Sequence, residues 1–289
     1  MLRPWDISIF LDGAYSPPRK NIGDLRNKGV ELDVKWNERV GELSYGVNLN
    51  ASYNQNRLEK WNEYLGRGTT FLNMPYNFVY TYVDRGIAQT WQDIYNATPQ
   101  GAKPGDLLFE DLNGDGRIDG NDRKATTNLR TRPTTNAAVN LFAAWKGIDL
   151  AVFFTGATGR KDYWVNIYND LTISNQRAAI TWDIYENPWR TDNRTGIWPR
   201  MGGLDDNNEN TTFWLDDMSY VRLKNIQLGY SVPAFIVNKF FAKTLRFAFS
   251  AENLATFTKY RGLDPEKQNS ANDVYPLNKS YNLSILLGF

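Results

Sequence analysis

The sequence predicts an all-β protein, a segment of an antiparallel transmembrane β-barrel with about eight strands and long extracellular loops. Two patterns in the 289 residues predict this fold: polar and apolar residues alternate with a period of two, and short and long connections alternate along the chain. A third observation limits the alternatives. No apolar run approaches the roughly 18 residues that a membrane-spanning helix requires, so any crossing of a membrane would be made by strands.

Each predicted strand places its apolar residues on one face. In the segment 28–37, for example, Val30, Leu32 and Trp36 alternate with polar residues such as Glu31. This pattern is typical of a strand with two different faces. The predicted strands are 28–37, 43–53, 137–145, 147–157, 219–230, 244–253 and 281–289, with a weaker one at 4–11.

The connections between these strands alternate in length. The short or medium ones are 37–41, 146 and 231–243. The long ones are 12–27, 54–136, 158–218 and 254–280. Outer-membrane barrels have short turns at the periplasmic end and long loops at the extracellular end, so the alternation favours a barrel. The second interpretation is a soluble, secreted β-sandwich that binds carbohydrate, although loops of this length are uncommon in such domains.

Aromatic residues lie near the ends of the predicted strands. In a membrane barrel they would form the belts at the two membrane surfaces, whereas in a soluble protein they would pack in the core. The residues concerned are Trp36, Tyr45, Tyr53, Trp145, Tyr220, Tyr230 and Tyr281. The last predicted strand also alternates in polarity and ends on Phe289, which is unusual for a soluble protein.

The composition excludes several classes of function. The chain has no cysteine and no histidine, which removes thiolate and imidazole metal sites and Ser-His catalytic pairs. With 33 basic and 32 acidic residues it has no net field to attract nucleic acid, so no nucleic-acid partner is expected. The adjacent acids Asp205 and Asp206, and likewise Asp216 and Asp217, suggest a glycosidase only weakly. Neighbours in a strand face opposite sides, so no catalytic residue is assigned.

Residues 111–122 match the spacing of a calcium-binding loop of the EF-hand type. In such a loop, oxygen ligands recur at alternate positions and a glycine stands where the chain turns sharply. The sequence therefore predicts a structural Ca²⁺ site, while a solvated turn is the alternative for a cluster of Asn, Asp and Gly. The predicted ligands are Asp111, Asn113, Asp115, Arg117 through its backbone carbonyl, Asp119 and Asp122.

Three tryptophans in the long connections are candidate ligand-binding residues. Trp182, Trp189 and Trp214 lie in connections that would be extracellular. Their rings could stack on sugar rings, or they could hold the loops to one another. The sequence leaves both roles open.

Four segments follow one another in a distinctive order: NIGDLRNKGVEL at 21–32, PGDL at 104–107 followed by DLNGDGRID at 111–119, KGIDLAVFF at 146–154, and YVRLKNIQLGY at 220–230. In this order they resemble TonB-dependent outer-membrane receptors of the SusC/RagA type. The last strand, with Tyr281 at its start and Phe289 at its end, resembles the signal by which the barrel-assembly machinery recognises outer-membrane proteins.

The resemblance implies that residues 1–289 form the C-terminal portion of a plugged barrel of about 22 strands, without the N-terminal plug domain. It implies a location in the outer membrane of a Gram-negative, Bacteroidetes-like bacterium. The implied role is import of glycans or peptides, not an enzymatic reaction. The implied partners are a SusD-like surface lipoprotein, the barrel-assembly machinery, and TonB–ExbB–ExbD acting through the missing N-terminal part.

Overall fold

The computed structural model describes residues 2–4, 19–21, 23–61, 72–76, 78–130, 132–163, 181–203, 210–267 and 277–289. The strands in these ranges are β1 (Leu2–Pro4), β2 (Arg19–Asn21), β3 (Gly23–Val40), β4 (Leu43–Trp61), β5 (Phe78–Tyr82), β6 (Asp84–Ile87), β7 (Leu107–Phe109), β8 (Arg123–Arg130), β9 (Thr135–Trp145), β10 (Ile148–Thr158), β11 (Lys161–Tyr163), β12 (Leu215–Asp217), β13 (Tyr220–Ser231), β14 (Thr244–Thr258) and β15 (Ser280–Gly288). The helices are α1 (Trp91–Tyr95), α2 (Trp182–Glu186) and α3 (Ala234–Val237), with 3₁₀ turns at Gly120–Asp122, Thr212–Trp214 and Asn238–Phe240. None of the described helices is long and apolar enough to cross a membrane.

Seven long strands form one antiparallel sheet in the order β3, β4, β9, β10, β13, β14, β15. Each pairs with the previous and the next of these strands along the chain, so the sheet is an up-and-down meander. Within the described residues the sheet is open, with β3 and β15 at its edges. The predicted barrel segment is confirmed. The β-sandwich interpretation is wrong, because the other sheets in the described part of the chain have only two strands each.

The strand boundaries differ from the prediction mainly at the ends. The predicted strand 4–11 lies almost entirely outside the described residues. The short strands β1 and β2, which precede and follow that stretch in the sequence, pair with each other. The hairpin of β3 and β4 is longer than predicted and continues to Trp61. Residues 54–57 are polar on both faces of this hairpin, so alternation does not mark them as strand.

The strand register places most of the apolar residues of the seven strands on one face. From strand to strand across the sheet, Trp36 is opposite Val47, Val47 is opposite Leu141, Leu141 is opposite Val152, and Val152 is opposite Ile226. Paired residues project to the same side of a sheet, so the apolar face is continuous. Exposed side chains of this face include Val30, Leu32, Leu150, Leu228, Phe247, Phe249, Leu283 and Ile285.

Several of the predicted aromatic residues gather on this face at the end with the short turns. Trp145 and Tyr230 belong to the same cross-strand row. The rings of Trp36 and Tyr45 meet edge to face with their centroids 5.3 Å apart. Tyr220 is an exception, because the register puts it on the opposite, polar face. The membrane-belt role predicted for Tyr220 is therefore wrong.

The opposite face of the sheet is mostly polar and holds a cross-strand ion pair. Arg246 binds Asp149 through two hydrogen bonds of 2.6 and 2.8 Å. Gly229 of β13 lies between them, and a Cβ at this position would collide with both side chains. The absence of a side chain at Gly229 therefore leaves the space in which the pair forms.

Tight turns close one end of the sheet, and long connections leave the other. Gly41 has a φ of +61°, and in the next turn Lys146 and Gly147 have φ values of +48° and +84°, the conformation that two-residue hairpins require. The connection of 232–243 lies at this same end. The predicted segregation of short and long connections is thus present in the sheet.

Candidate functional site in the long connections

The described parts of the three long connections pack together at one end of the sheet. They are the first connection (62–134), the second (159–219) and the third (259–279). Their described parts share one hydrophobic cluster, called here the loop core, to which all three contribute. Its buried residues are Leu107, Phe109, Ile184, Trp198, Trp214, Met218 and Tyr260. Loops that bury a common core present a fixed surface rather than three independent ones.

Trp214 lies inside the loop core and is only 1% exposed. Its ring stacks on Trp198 with the centroids 5.7 Å apart and the planes at 9°. Phe213 meets both rings edge to face, and the guanidinium of Arg261, in the third connection, lies 4.9 Å from the centroid of Trp198. A sugar ring could reach Trp214 only if the loops opened. The structure therefore gives Trp214 the alternative role, that of holding the loops together.

Trp189 joins the second connection to the first. It is 8% exposed, and its Nε1 donates a hydrogen bond of 2.9 Å to Oε1 of Gln89. Nearby, Arg200 of the second connection binds the fully buried Asp106 of the first through bonds of 2.8 and 3.0 Å. Gln89 precedes α1 and Trp189 follows α2, so these contacts connect the two segments that carry the helices.

The helices α1 and α2 carry almost the same sequence. Both helices begin with tryptophan, directly after a threonine. The sequence is Thr-Trp-Gln-Asp-Ile-Tyr at α1 and Thr-Trp-Asp-Ile-Tyr at α2, so the two differ by one inserted glutamine. Ile184 of α2 is fully buried in the loop core, and Ile94 of α1 packs against a second small cluster around Leu108. The two segments are therefore anchored by the same residue type.

The Trp and Tyr residues of both helices face outward. Together they are called here the aromatic surface, and their exposed fractions are 57% for Trp91, 80% for Tyr95, 70% for Trp182 and 56% for Tyr185. Trp182 is thus a predicted ligand-binding residue that the structure leaves at the surface. Sequence reasoning missed the other three, although the repeated Thr-Trp and Asp-Ile-Tyr elements could have revealed them. Exposed tryptophan and tyrosine side chains of this kind are enriched at interaction sites.

The predicted calcium loop is a turn closed by hydrogen bonds to backbone amides. Asp111 accepts hydrogen bonds from the amides of Gly114 at 2.7 Å and Gly116 at 2.9 Å, and both glycines have positive φ, +73° and +80°. Asn113 donates from its side chain to Asp115 at 2.9 Å. These Asx-type bonds give the backbone the sharp turn that a calcium loop needs.

The end of this loop is fixed by the buried side chain of Asp122. It accepts bonds from the amides of Leu112 at 2.9 Å and Asp119 at 2.8 Å. The Asp119 amide holds the pKa of the Asp122 carboxyl below its usual value, against an opposing effect of burial. Arg117 is exposed. No group of three or more acids is placed to hold a metal ion anywhere in the described ranges, so this structure has the turn of a calcium loop without gathered carboxylates.

Arg222 attaches the third connection to the sheet. It lies on the polar face of β13, its side chain is 3% exposed, and its guanidinium binds Asp264 at 2.7 Å and Glu266 at 2.5 Å. The strand bulges at Lys224, whose Nζ lies 3.1 Å from the same Glu266. A β-bulge changes the direction in which neighbouring side chains project from the sheet. Here Arg222 and the bulged residue Lys224 both contact the third connection.

Two opposing effects act on the pKa of Asp264, the buried acid of this cluster. Burial raises the pKa of the Asp264 carboxyl, but the amide of Glu266 and the guanidinium of Arg222 outweigh it and hold the pKa below the usual value. Such a group stabilises the fold above its unfolded pKa of about 3.9, and the contribution disappears as the pH falls through the lower folded value. The attachment is therefore intact at neutral pH.

The acid pairs considered for catalysis do not form a carboxylate couple in the described ranges. Asp216 is bound by Arg261, with an N–O distance of 2.6 Å, and Asp217 accepts a bond of 2.9 Å from the amide two residues later. Asp205 and Asp206 lie outside the described residues. The two described acids thus serve to shape the loops.

The predicted assembly signal lies at the edge of the sheet. Tyr281 lies on the apolar face near the start of β15, and Phe289 directly follows the last residue of the strand. Their side chains are 61% and 78% exposed. Both rings are therefore accessible from outside the described fold.

No family model matches the chain. It is similar to TonB-dependent receptor P3 of Formosa agariphila, with 30% identity over 271 residues that cover 88% of this chain and 26% of that receptor. It is 22% identical to TonB-dependent receptor SusC of Bacteroides thetaiotaomicron, covering 93% of this chain and 27% of SusC. The solved structure of the RagAB peptide importer in its open-open state matches all of this chain and 31% of its own, with 23% identity and a TM-score of 0.78. That likeness shows the fold, and the chain spans less than a third of the length of these relatives.

Proposed function

The chain belongs to the SusC/RagA type of TonB-dependent receptors, a non-enzymatic transporter family of the bacterial outer membrane, and on this premise we propose that it supplies barrel wall and folded extracellular loops to a nutrient importer. In this proposal the apolar face of the sheet meets lipid and the polar face lines the lumen. Residues 1–289 act as the C-terminal part of the barrel.

The observation that carries the proposal is the continuous apolar face over seven strands, with the three long connections at one end of the sheet. A lipid-facing wall needs alternate residues apolar on every strand and in register. A transporter also needs a surface that meets its substrate before entry. The loop core supports such a surface, because it fixes the long connections where they leave the sheet.

The substrate in this proposal is a short oligomer, either a glycan or a peptide. RagAB is a peptide importer, whereas the name of the Formosa receptor specifies no substrate. The aromatic surface suits either class, because tryptophan and tyrosine combine a broad apolar ring with a polar edge. We propose that this surface makes the first contact with the substrate.

Replacing Trp91 and Trp182 together by alanine should lower the apparent affinity for the imported oligomer about tenfold or more, because large exposed rings carry much of the binding energy at such surfaces. Uptake of labelled oligosaccharide and peptide mixtures is measured in cells that express the full-length protein, at equal surface display. Ile197→Ala is the matched control, since Ile197 is 59% exposed in the second connection. Unchanged uptake in the double variant would contradict the role of the aromatic surface. A protonophore removes the proton gradient that would energise import through TonB. If uptake in every variant were insensitive to the protonophore, the proposed energised import would be contradicted.

The proposed partners follow from the same premise. A SusD-like surface lipoprotein would cover the extracellular end, and TonB–ExbB–ExbD would supply energy through parts of the full-length protein beyond this chain. The name of the RagAB complex supports a two-component assembly. Copurification of a surface lipoprotein with the full-length protein tests this part of the proposal.

We also propose that residues 111–122 take up one Ca²⁺. Support comes from the spacing of Asp111, Asn113, Asp115 and Asp119 and from the positive φ of Gly116, both of which match a calcium loop. The ion would require the exposed carboxylates to turn inward from their present positions.

Calorimetric titration of calcium into the full-length protein should give binding heat that Asp115→Ala abolishes, because the variant removes a charge and an oxygen ligand together. Asp192→Ala is the control, since Asp192 is an exposed acid of the second connection. If heat is absent at millimolar calcium, or persists in Asp115→Ala, the segment is an ordinary solvated turn.

The last proposal concerns assembly. Deleting Phe289 should reduce the amount of full-length protein inserted in the outer membrane and leave its export to the periplasm unchanged, because the exposed terminal ring would no longer be available to the assembly machinery. Membrane fractionation measures both pools. Leu286→Ala is a suitable control, because Leu286 lies on the polar face of the same strand. Equal insertion with and without Phe289 would refute this role.

A further inference from the structure

We propose that the connection of 232–243 is a membrane-interface anchor, which inserts Phe235 and Phe241 among the phospholipids of the inner leaflet of the outer membrane. This connection, called here the rim turn, joins β13 to β14 at the end of the sheet with the short turns. The inference rests on the outer-membrane location of the chain and adds a binding surface to it.

The rim turn exposes two of its phenylalanine side chains and buries two smaller apolar ones. Val237 and Ala242 are 2% and 4% exposed, whereas Phe235 is 70% and Phe241 is 95% exposed. A turn that faced water on all sides would gain by the reverse arrangement, because burial of the larger apolar surface is more favourable. The exposed rings therefore need an apolar environment outside the described fold.

The backbone at Phe241 supports the same conclusion. Its φ is +57°, a conformation that costs free energy in any residue with a Cβ and that glycine adopts freely. The ring contributes little to the described fold, since it is almost completely exposed. An unfavourable conformation that presents an apolar side chain is a reason to look for a role of that side chain.

The rim turn is hydrogen-bonded to two strands that carry the apolar face. The amide of Lys243 donates to the carbonyl of Gly288 at 2.7 Å, and the amide of Val232 donates to the carbonyl of Leu245 at 2.9 Å. These bonds hold the turn against the ends of β15 and β14, beside the exposed apolar residues Leu287 and Phe289. Since the proposed function has that face of the sheet meet lipid, the turn lies at the edge of the lipid-facing surface, which favours lipid over a protein as its partner.

The charges of the rim turn fit the level of the phospholipid headgroups. Lys239 and Lys243 are exposed on either side of Phe241, and the segment 232–243 contains no acidic residue. Aromatic rings at the boundary of the acyl chains and ammonium groups at the phosphates are the usual combination of an interfacial segment. The partner is therefore a phospholipid surface with anionic headgroups.

Single-cysteine labelling tests the proposal, since the chain has no cysteine of its own. The full-length protein, with any cysteine elsewhere replaced by serine, carries Phe241→Cys or Phe235→Cys and an environment-sensitive fluorophore. It is reconstituted in vesicles of phosphatidylethanolamine and phosphatidylglycerol. Quenching by lipids with a nitroxide near the headgroup is compared with quenching by iodide in water. Leu141→Cys on the apolar face and Tyr95→Cys on the loops are the lipid-facing and water-facing references.

Labels at both phenylalanine positions should lose fluorescence to the lipid nitroxide as the Leu141 label does, and should show a blue-shifted emission. Quenching by iodide, as at Tyr95, would overturn the proposal. Protection from both quenchers would also overturn it, because the rim turn would then be covered by protein. If Phe241→Cys does not fold, as judged by protease resistance of the loops, Phe235→Cys in the regular helix α3 decides the question alone.

Discussion

Replacing Leu141 by arginine should remove most of the folded protein from the outer membrane. Leu141 lies in the middle of β9, opposite Val47 and Val152 on the apolar face, and is 42% exposed. An arginine on the lipid-facing side near the middle of a membrane barrel costs about 2–4 kcal/mol. A cost of that size is a large part of the stability of an ordinary domain. The measurement is the amount of full-length protein in the outer-membrane fraction that still runs as a folded species before heating.

The matched control is the neighbouring residue in the same strand. Asn140 pairs with Asn48 and Phe153 on the polar face, so Asn140→Arg introduces the same side chain at the same depth on the lumen side. This variant should insert nearly as well as the natural protein. Equal losses in the two variants would show that the two faces are not lipid and lumen, and would contradict the barrel wall proposed for this chain.

Trp214→Ala should open the loop core while the sheet remains folded. The side chain is 1% exposed and stacks on Trp198. Truncation of a buried aromatic residue to alanine typically costs about 3–5 kcal/mol, because both the burial and the packing around the cavity are lost. Limited proteolysis of the full-length protein in detergent should therefore cut the second connection much faster than in the natural protein.

Trp182→Ala provides the comparison for this experiment. It removes the same side chain from the same connection, but Trp182 is 70% exposed. Protease resistance should therefore stay near that of the natural protein. If Trp182→Ala opened the loops as much as Trp214→Ala, the loop core would not be what holds the connections together.

Much of the sheet could be predicted because its signal is local. The alternation that ends with Trp36 in β3 and the one that begins with Leu43 in β4 each require only that neighbouring residues face opposite sides. A membrane barrel repeats that requirement on every strand, so the strands β9, β10, β13 and β15 lie close to their predicted ranges. Where both faces are polar, as at residues 54–57, the local signal disappears and the strand end was missed.

The candidate site was predictable only in part, because its contacts join distant parts of the chain. Trp189 bonds Gln89, 100 residues earlier, and Arg222 bonds Asp264, 42 residues later. Neither contact produces a repeating pattern in the sequence from which it could be predicted. The Asx-type bonds of the segment 111–122 are local by contrast, and its turn follows from the spacing of its aspartates and glycines.

The sequence by itself determined the fold class, the alternation of polar and apolar residues along most strands, and the alternation of short and long connections, because these patterns can be read along the chain without knowing which strands pair. Only the tertiary structure decided which tryptophans of the long connections are buried and which are exposed. Trp214 and Trp182 are the same residue in the same connection, yet one is buried and the other exposed. The reason is that burial depends on what other segments bring into contact, and the loop core is assembled from three connections that meet only when the strands between them have paired.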